Sequence, residues 1–380
     1  MGTVLHSKMK SAERISVRFL SRRKTRSVAI GNICVGGGAP VVVQSMTKTD
    51  TRDWKATVSQ IRKLERAGCE IVRLAVPDKE AAGALGEIRK RVRVPLIADI
   101  HFDYRLALAS LSKGVDGLRL NPGTIGSKKK IQEVVRAAKD RNIPIRIGVN
   151  SGSLDKSLLA RYGGATARAM VESALGHIRI LEDLSFRLIK VSLKASDIRR
   201  TVEAYRLLAR KVDYPFHAGI TEAGTLVCGA VKSSVGLGIL LNEGLADTIR
   251  VSLTAPPEEE VRIAYQILRS LGLRSRGVNL ISCPVCGRCE VDLLRISAEV
   301  EKRLSPIREP VTVAVMGCMV NGPGEAREAD VGVACGRGVG VLFKRGKLLR
   351  RIPENRIISE LAGEVEQLAR EYSAHEGKRR

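Results

Sequence analysis

Five of the eight cysteines of this 380-residue chain lie beyond residue 280. The N-terminus is basic but has no continuous apolar core of the kind that directs export, so a disulfide framework is not expected. Thiols grouped in this way in a large chain are typical of a metal site. The five are Cys283, Cys286, Cys289, Cys318 and Cys335.

The spacing of these thiols favours an iron–sulfur cluster over zinc. Cys283 and Cys286 form a CxxC pair, and a four-thiolate zinc knuckle would need a second such pair, which the sequence does not supply near Cys318 or Cys335. A cubane cluster accepts a distant third cysteine, here Cys318, and leaves one iron for another ligand. The Gly- and Pro-containing turn after Cys318 would let Glu325 reach that iron, and a carboxylate is easier to displace than a thiolate. Three unrelated thiols remain the alternative.

The preceding part of the chain must position a substrate, and its pattern predicts a parallel sheet covered by helices. Eight apolar, β-branched runs alternate with segments of helical spacing, which favours a (β/α)8 TIM-type barrel. An open doubly wound sheet is the alternative, but it usually carries a Gly-rich fingerprint after its first strand. The predicted strands are 41–46, 71–76, 95–100, 117–120, 143–149, 188–193, 214–220 and 248–253, and the helical segments include 57–67, 79–91, 129–140, 201–211 and 259–271.

Arginine or lysine recurs at five of the eight predicted strand ends, where the working residues of such a barrel lie. Converging like charges are costly to bury unless an anion compensates them, and Arg matches phosphate with paired hydrogen bonds. The pattern therefore predicts a phosphorylated substrate, although any one cation could instead pair with a neighbouring carboxylate. These cations are Arg73, Arg119, Arg146, Lys190 with Lys194, and Arg250.

Acid–base groups are expected at the same end of the barrel. Asp99 and His101 follow the third strand, while His217 and Glu222 accompany the seventh. Asn121 opens a turn before the next helix that could add affinity for an anion. Each of the two histidines and two carboxylates is more often structural, and only their common placement at strand ends indicates a role in proton transfer.

The domain organisation follows from these patterns. Residues 1–21 form a basic extension, residues 22–274 the barrel, and residues 275–380 a small α+β domain with a basic tail. In the last domain the pattern predicts strands at 278–281, 311–316, 331–334 and 340–343. Helices are predicted at 291–304 and 360–371, the latter with Ser359 as its N-cap.

Net charge is +25, which indicates anionic substrates, acidic protein partners or nucleic acid. Only 3% of residues are aromatic, so single-stranded nucleic acid finds few stacking platforms. Two alternatives nevertheless remain at this point: a non-redox phosphate-binding barrel with a structural zinc domain, and a zinc-bearing nucleic-acid binder. No apolar run has bilayer-spanning length, and a cytoplasmic location is expected, with an Arg-rich organellar presequence at 1–26 as the alternative.

Several motifs resemble the 4-hydroxy-3-methylbut-2-enyl diphosphate synthase family of the methylerythritol phosphate route to isoprenoids. The two cluster motifs, Ser-Cys-Pro-x-Cys-Gly-Arg at 282–288 and Met-Gly-Cys-x-Val-Asn-Gly-Pro-Gly-Glu at 316–325, are specific to that family. The resemblance extends from about residue 22 to about residue 360. Further matching segments lie at 22–26, 44–47, 98–102, 119–123, 148–154, 221–224 and 329–332.

The resemblance implies the two-domain bacterial arrangement, a TIM-type barrel followed by an iron–sulfur reductase-like domain. It implies a [4Fe–4S] cluster on Cys283, Cys286, Cys318 and Glu325, and reductive opening of a cyclic diphosphate with loss of a hydroxyl. Reduced ferredoxin or flavodoxin would deliver the electrons. A homodimer is expected, in which the barrel of one subunit faces the cluster domain of the other.

Residue roles are implied in the same way, motif by motif. Asp99, Asn150 and Glu222 would position protons, and Glu325 would act at the exchangeable iron. Cys289 departs from the family pattern, since a residue other than cysteine is usual there, and Cys335 is expected to be structural. The expected diphosphate ligands are Arg73, His101, Arg119, Asn121, Arg146, Lys194 (or Lys190) and Arg250.

Overall fold

The computed structural model describes residues 21–377, with side chains described to residue 374. Residues 1–20 of the predicted basic extension and the basic residues 378–380 lie outside the described residues. The chain divides into two compact units, Met1–Leu273 and Arg274–Arg380.

The first unit contains the predicted eight-stranded parallel barrel, which is confirmed. Its strands pair in the order β8-β7-β6-β5-β4-β3-β10-β9, and a parallel bridge between Val191 and Phe216 joins the two ends of that order. The strands are β3 (Val42–Met46), β4 (Ile71–Ala75), β5 (Leu96–Asp99), β6 (Gly117–Arg119), β7 (Ile145–Asn150), β8 (Ile189–Lys194), β9 (His217–Ala218) and β10 (Thr248–Ile249).

Nine α-helices of the described residues surround this barrel. Most begin at an Asp or Thr whose side chain accepts a hydrogen bond from the first turn, as Asp53 does from Ala56 and Asp197 from Arg200. The helices are α1 (Trp54–Ala67), α2 (Lys79–Arg89), α3 (Tyr104–Ser112), α4 (Lys128–Lys139), α5 (Lys156–Tyr162), α6 (Ala167–Asp183), α7 (Ile198–Ala209), α8 (Leu226–Asn242) and α9 (Pro257–Ser270).

A short antiparallel hairpin covers the end of the barrel at which the strands begin. It consists of β1 (Ser27–Ile30) and β2 (Ile33–Gly36). Val28, Ile30 and Val35 form one apolar cluster with Val42 and Ile71, the first residues of β3 and β4. Because apolar packing excludes water, the hairpin closes the floor of the barrel and leaves the strand carboxyl ends as the open side.

The second unit is an α+β domain built on a five-stranded mixed sheet in the order β11-β12-β13-β14-β15. The strands β11, β12 and β13 run parallel, whereas β14 and β15 are antiparallel additions. The elements are β11 (Asn279–Ser282), α10 (Leu293–Leu304), β12 (Thr312–Met316), α11 (Gly322–Glu328), β13 (Val331–Gly336), β14 (Val339–Lys344), β15 (Lys347–Pro353) and α12 (Ile357–Gly377).

Three details of this unit differ from the sequence-based expectation. The segment after Cys318 forms the short helix α11 where a turn was expected, because Pro323 occupies its first turn, where a missing N–H costs nothing. Strand β15 was not predicted, since its residues are almost all exposed and lack an apolar face. Ser359 is not an N-cap: α12 begins at Ile357, and the Ser359 hydroxyl donates to the Arg356 carbonyl.

None of the helices in the described residues combines the length and apolar character that crossing a membrane requires.

Candidate active site in the barrel and a thiol-bearing edge in the second unit

Asp99 is the anionic centre of the open end of the barrel. As the last residue of β5 it is 4% exposed, and its carboxylate lies 3.2 Å from Arg119 Nη1 and 3.5 Å from Arg73 Nε. Burial raises the pKa of this carboxyl, but Arg73, Arg119 and Arg146 together outweigh burial and hold it below its ordinary value. Asp99 is therefore ionised at neutral pH and fixes the cations around it.

Arg119 is held by the neighbouring strand as well as by Asp99. Its Nη2 donates to the Gly148 carbonyl at 2.9 Å, and the Asn121 amide forms two further hydrogen bonds with the Gly148 backbone. A Cβ at position 148 would lie 2.5 Å from Arg119 Nε, so only glycine leaves room for the guanidinium. Glycine in β7 therefore positions an arginine of β6.

Arg146 and Lys190 lie deeper than the sequence predicted. They were expected at strand ends, yet each is the second residue of its strand, β7 and β8, and they are partners in the parallel register. Both are almost completely buried, at 2% and 1% exposure. Within the described residues, Arg146 Nε and Nη1 and Lys190 Nζ have no hydrogen-bond partner. Burial, followed by neighbouring arginines, lowers the pKa of each well below its ordinary value.

Lys194 and His217 form a buried pair on adjacent strands. Lys194 Nζ lies 3.3 Å from His217 Nε2, and His217 Nδ1 lies 2.8 Å from Thr248 Oγ1. Burial, and then the surrounding cations, lower the pKa of both groups well below their ordinary values. His217 is consequently neutral and holds Lys194 at the end of β8.

Glu260 is a buried carboxylate that the sequence-based prediction missed. It lies on α9 and is 1% exposed, with Lys48 Nζ at 2.9 Å, Ser45 Oγ at 3.0 Å and Arg250 Nε at 3.6 Å. A usable signal was present: Glu260 falls between Pro257 and Ala264 on the buried face of the helix, where a charged residue needs a partner.

Arg73 and Arg250 also converge on a sulfur. Arg73 Nη2 lies 2.9 Å and Arg250 Nη1 3.7 Å from Met46 Sδ. Burial lowers the pKa of Arg73 to about 10, against the opposing influence of Asp99. A thioether is a weak acceptor, so both guanidiniums keep donor capacity for a ligand.

Three predicted residues lie at the rim and are less constrained. His101 has a 58% exposed side chain, with Nδ1 at 3.3 Å from Arg119 Nη1 and Nε2 at 3.7 Å from Asp99. Asn150 is the half-buried last residue of β7. Glu222 is exposed and has φ of 52°, which places it in a tight turn after β9 rather than in the cation cluster.

In the second unit, two of the predicted cluster ligands lie at one edge of the sheet. Cys283 directly follows β11 and Cys318 comes two residues after β12, its parallel neighbour. The Gly317 N–H donates to Cys283 Sγ at 3.4 Å, so the two loops touch. Backbone N–H groups of Asn321, Val320 and Gly322 lower the pKa of the Cys318 thiol, which favours the thiolate that binds metal.

The other two predicted ligands are exposed. Cys286 lies on the loop after Cys283, and Glu325 lies in the first turn of α11. Among residues 21–377, no three His, Cys, Asp or Glu side chains are already arranged as a metal site. The donor types and the shared edge fit an iron–sulfur cluster, whereas the side-chain positions of this single chain do not form its full ligand set.

The two remaining thiols of this region lie behind that edge. Cys289 packs against Gly317, and its Sγ lies 3.2 Å from the Val291 carbonyl. Cys335 is buried in β13, and burial raises its pKa to about 12. A protonated, enclosed thiol of this kind is typical of a core residue.

Comparison with known proteins identifies the family. The model of the GcpE TIM-barrel domain matches residues 25–265, and that of the GcpE protein C-terminal domain matches residues 279–367. Among solved structures, dihydropteroate synthase of Yersinia pestis covers 65% of this chain and 98% of its own at 10% identity, with a TM-score of 0.47, a likeness too limited to support any conclusion.

Curated relatives match over nearly the whole chain. The protein of Geobacter sulfurreducens is 60% identical over 92% of this chain and 99% of its own length, and that of Thermodesulfovibrio yellowstonii is 59% identical over 91% and 99%. The protein of Geobacillus kaustophilus is 57% identical over 94% and 95%. All three are named 4-hydroxy-3-methylbut-2-en-1-yl diphosphate synthase (flavodoxin). The chain therefore belongs to the GcpE family, and this membership implies an enzyme of the iron–sulfur type.

Proposed function

We propose that the chain catalyses the reaction for which these relatives are named. 2-C-methyl-D-erythritol 2,4-cyclodiphosphate takes up two electrons and two protons, its ring opens, and one hydroxyl leaves as water to give (E)-4-hydroxy-3-methylbut-2-enyl diphosphate. The observation that carries this proposal is the 60% identity over almost the full length of both chains. Relatives named for a flavodoxin-dependent reaction are not expected for a protein whose metal is structural zinc, so neither zinc-based alternative is favoured.

The barrel residues bind the diphosphate in this proposal. Arg73, Arg119 and Arg146 surround Asp99, and buried guanidinium N–H groups of Arg146 have no protein acceptor in the described residues. A bound phosphoryl group would supply those acceptors and offset the cost of burying several cations together. The complete proposed set is Arg73, His101, Arg119, Asn121, Arg146, Lys194 and Arg250.

Asp99, Asn150 and Glu222 are proposed to hold and position protons at the rim. Asp99 is ionised and contacts two arginines, so its part is to orient the cations and to accept hydrogen bonds. Asn150 ends β7 beside the Lys194 position of β8, within the same rim. Glu222 is exposed, so its carboxyl is accessible to solvent.

A [4Fe–4S] cluster would be held by Cys283, Cys286, Cys318 and Glu325. When bound, such a cluster supplies single electrons and a Lewis-acidic iron for the leaving oxygen. The loops after β11 and β12 support the assignment, because they place Cys283 and Cys318 at one sheet edge and stabilise the Cys318 thiolate.

Flavodoxin is the electron donor supported by the relatives' names, and we extend the proposal to reduced ferredoxin as a second one-electron donor. We also propose a cytoplasmic homodimer. Support for the dimer comes from an apolar stripe on α8, where Val227 and Val231 are 72% and 59% exposed. Exposed apolar patches of this kind mark protein–protein contacts.

The test is turnover of the cyclic diphosphate by anaerobically purified protein with reduced flavodoxin, together with iron and sulfide analysis. The wild type should contain about four iron atoms and four sulfides per chain and form the open diphosphate. Glu325→Ala should retain a less stable cluster and lose turnover, because the exchangeable iron loses its oxygen ligand. Glu328→Ala, an exposed carboxylate on the same helix, is the control. Full activity of Glu325→Ala would contradict the carboxylate assignment, and a colourless, zinc-containing wild type would contradict the function.

A further inference from the structure

Lys190 is the most enclosed lysine or arginine of the described barrel residues, and the sequence offered it only as the alternative to Lys194 for binding the diphosphate. Its residue is 1% exposed, and it lies on β8 directly beside Arg146 of β7 in the parallel register. Neither its Nζ nor the Arg146 Nε and Nη1 has a hydrogen-bond partner in the described residues. Unpartnered donors of two neighbouring buried side chains indicate space that a ligand or its solvent occupies.

The charges that act on Lys190 come from Arg146, Asp247 and Arg73, and Lys190 in turn acts on His217. Cations dominate: the buried carboxylates Asp99 and Glu260 are already engaged by arginines and Lys48, and Asp247 is paired with Arg22. The buried or mostly buried charged or titratable groups of the barrel include Arg73 (β4), Asp99 (β5), Arg119 (β6), Arg146 (β7), Lys194 (β8), His217 (β9), Asp247 and Arg250 (beside β10), and Glu260 (α9), while His101, two residues after β5, lies at the exposed rim.

A buried amine in this setting favours its neutral form. Burial disfavours the ammonium, and Arg146 and Arg73 add repulsion that Asp247 only partly opposes, so the pKa of Lys190 falls well below its ordinary value. An anion bound between Arg73, Arg119 and Arg146 reverses that balance, because Arg146 is the register neighbour of Lys190 and the interior between them is poorly solvated. The same anion neutralises the arginines that repel the ammonium.

We propose that Lys190 is a proton-accepting residue of the diphosphate site, neutral in the free barrel and protonated when the cyclic diphosphate is bound. The inference rests on the proposed function, since it takes that substrate as the anion. Both phosphoryl groups of the cyclic diphosphate are fully ionised near neutral pH, so a proton taken up on binding must go from solvent to the protein. Affinity should then fall as pH rises.

Isothermal titration calorimetry measures this proton directly. The anaerobic holoenzyme without reductant binds the cyclic diphosphate but cannot turn it over, and the heat is compared in HEPES and Tris, whose ionisation enthalpies differ. At about pH 8 we expect uptake approaching one proton per substrate, and an affinity that falls by up to about tenfold per pH unit above neutrality. Such uptake requires that bound substrate raise the folded-state pKa of a group.

Lys190→Met assigns the proton. It should still bind the substrate, with at least half of the uptake lost and a flatter dependence of affinity on pH. Lys139→Met makes the same chemical change on the exposed end of α4 and should behave as the wild type. Lys190→Gln, which keeps a polar group in the barrel, and circular dichroism guard against a folding defect.

The outcomes separate this inference from the function. Substrate binding with equal heats in the two buffers overturns the inference and leaves the function intact. Undiminished proton uptake in Lys190→Met also overturns the inference. The proton would then be assigned to the pair of Lys194 and His217, whose Nζ and Nε2 atoms lie 3.3 Å apart. Failure to bind the cyclic diphosphate in either buffer contradicts the proposed function and the inference together.

Discussion

At the scale of single residues, the position of Arg119 depends on a residue that has no side chain. Gly148 accepts from Arg119 Nη2 through its carbonyl, and its missing Cβ leaves the space that the guanidinium occupies. The Asn121 amide donates to the carbonyl of the same glycine and accepts from its N–H. The sequence displays the arginine plainly, but the requirement for glycine on the next strand becomes visible only with the register.

Gly148→Ala should therefore displace Arg119 without abolishing the fold. We expect kcat/KM for the cyclic diphosphate to fall by about 10- to 100-fold, because a displacement of about 1 Å in a binding group can cost that much. Steady-state kinetics with reduced flavodoxin checks the loss, and thermal unfolding checks the fold. Gly152→Ala is the matched control, since nothing lies within 4 Å of a Cβ there. Equal losses in both variants would contradict a specific effect on Arg119.

Residue types and their recurrence predicted most of the charged cluster, and the structure brings Arg73, Asp99, Arg119 and Arg146 together. The strand-end rule misplaced Arg146 and Lys190, which are the second residues of their strands, because the sequence pattern does not fix where each strand begins. Glu260 was missed, since it comes from a helix and not from a strand end. Contacts between a helix residue and the barrel interior depend on how the helix is rotated about its axis, and the strand pattern of the sequence does not specify that rotation.

At the scale of elements, α8 differs from the other barrel helices in having apolar residues on two faces. Its buried face includes Gly229, Gly236 and Leu240, while Val227, Val231 and Val235 are exposed. Exposed residues four apart lie on one side of a helix and form a continuous stripe. A stripe of valines facing water is unfavourable in a monomer and favours burial against a second copy.

Val231→Glu should shift the proposed dimer to monomer, because a buried, unpaired carboxylate is costly at the centre of an apolar contact. Size-exclusion chromatography with light scattering measures the mass. Leu294→Glu places the same charge on an exposed aliphatic position of α10, 75% exposed, and should leave the mass unchanged. A dimer that persists at micromolar concentration in Val231→Glu would exclude α8 as the interface.

Element positions were largely predictable where hydrophobic periodicity was strong. All eight barrel strands were predicted within a few residues, although β9 and β10 shorten to two residues each. Strand β15 escaped because Lys347, Arg350 and Arg351 give it no apolar alternation. It forms by pairing with β14, and this backbone pairing does not require an apolar pattern in the residues of β15.

At the scale of the whole molecule, net charge of +25 favours association with an acidic carrier protein. Long-range attraction of this kind raises the association rate and is screened by salt. The KM for flavodoxin should therefore rise roughly threefold or more between about 50 and 500 mM NaCl, while kcat at saturating flavodoxin changes little. Stopped-flow oxidation of reduced flavodoxin provides the association rate, and a rate independent of salt would contradict electrostatic recruitment.

Fold class and family were predictable at this scale because the eightfold alternation and the cysteine motifs are both long-range patterns in the sequence. The full cluster ligand set was not established by the single chain, in which Cys286 and Glu325 are exposed. Donor types can be read from a motif, whereas their final positions depend on the bound group itself.

The hairpin of β1 and β2 has a kinetic consequence. Val28, Ile30 and Val35 cover the side on which the strands begin. Substrate entry and product release should therefore both take place at the opposite rim. Product must leave before the next substrate molecule binds, and both carry a diphosphate, which the same arginines are proposed to bind. Accumulating product should for this reason inhibit the enzyme competitively, and its consumption by the next enzyme of the pathway would relieve that inhibition.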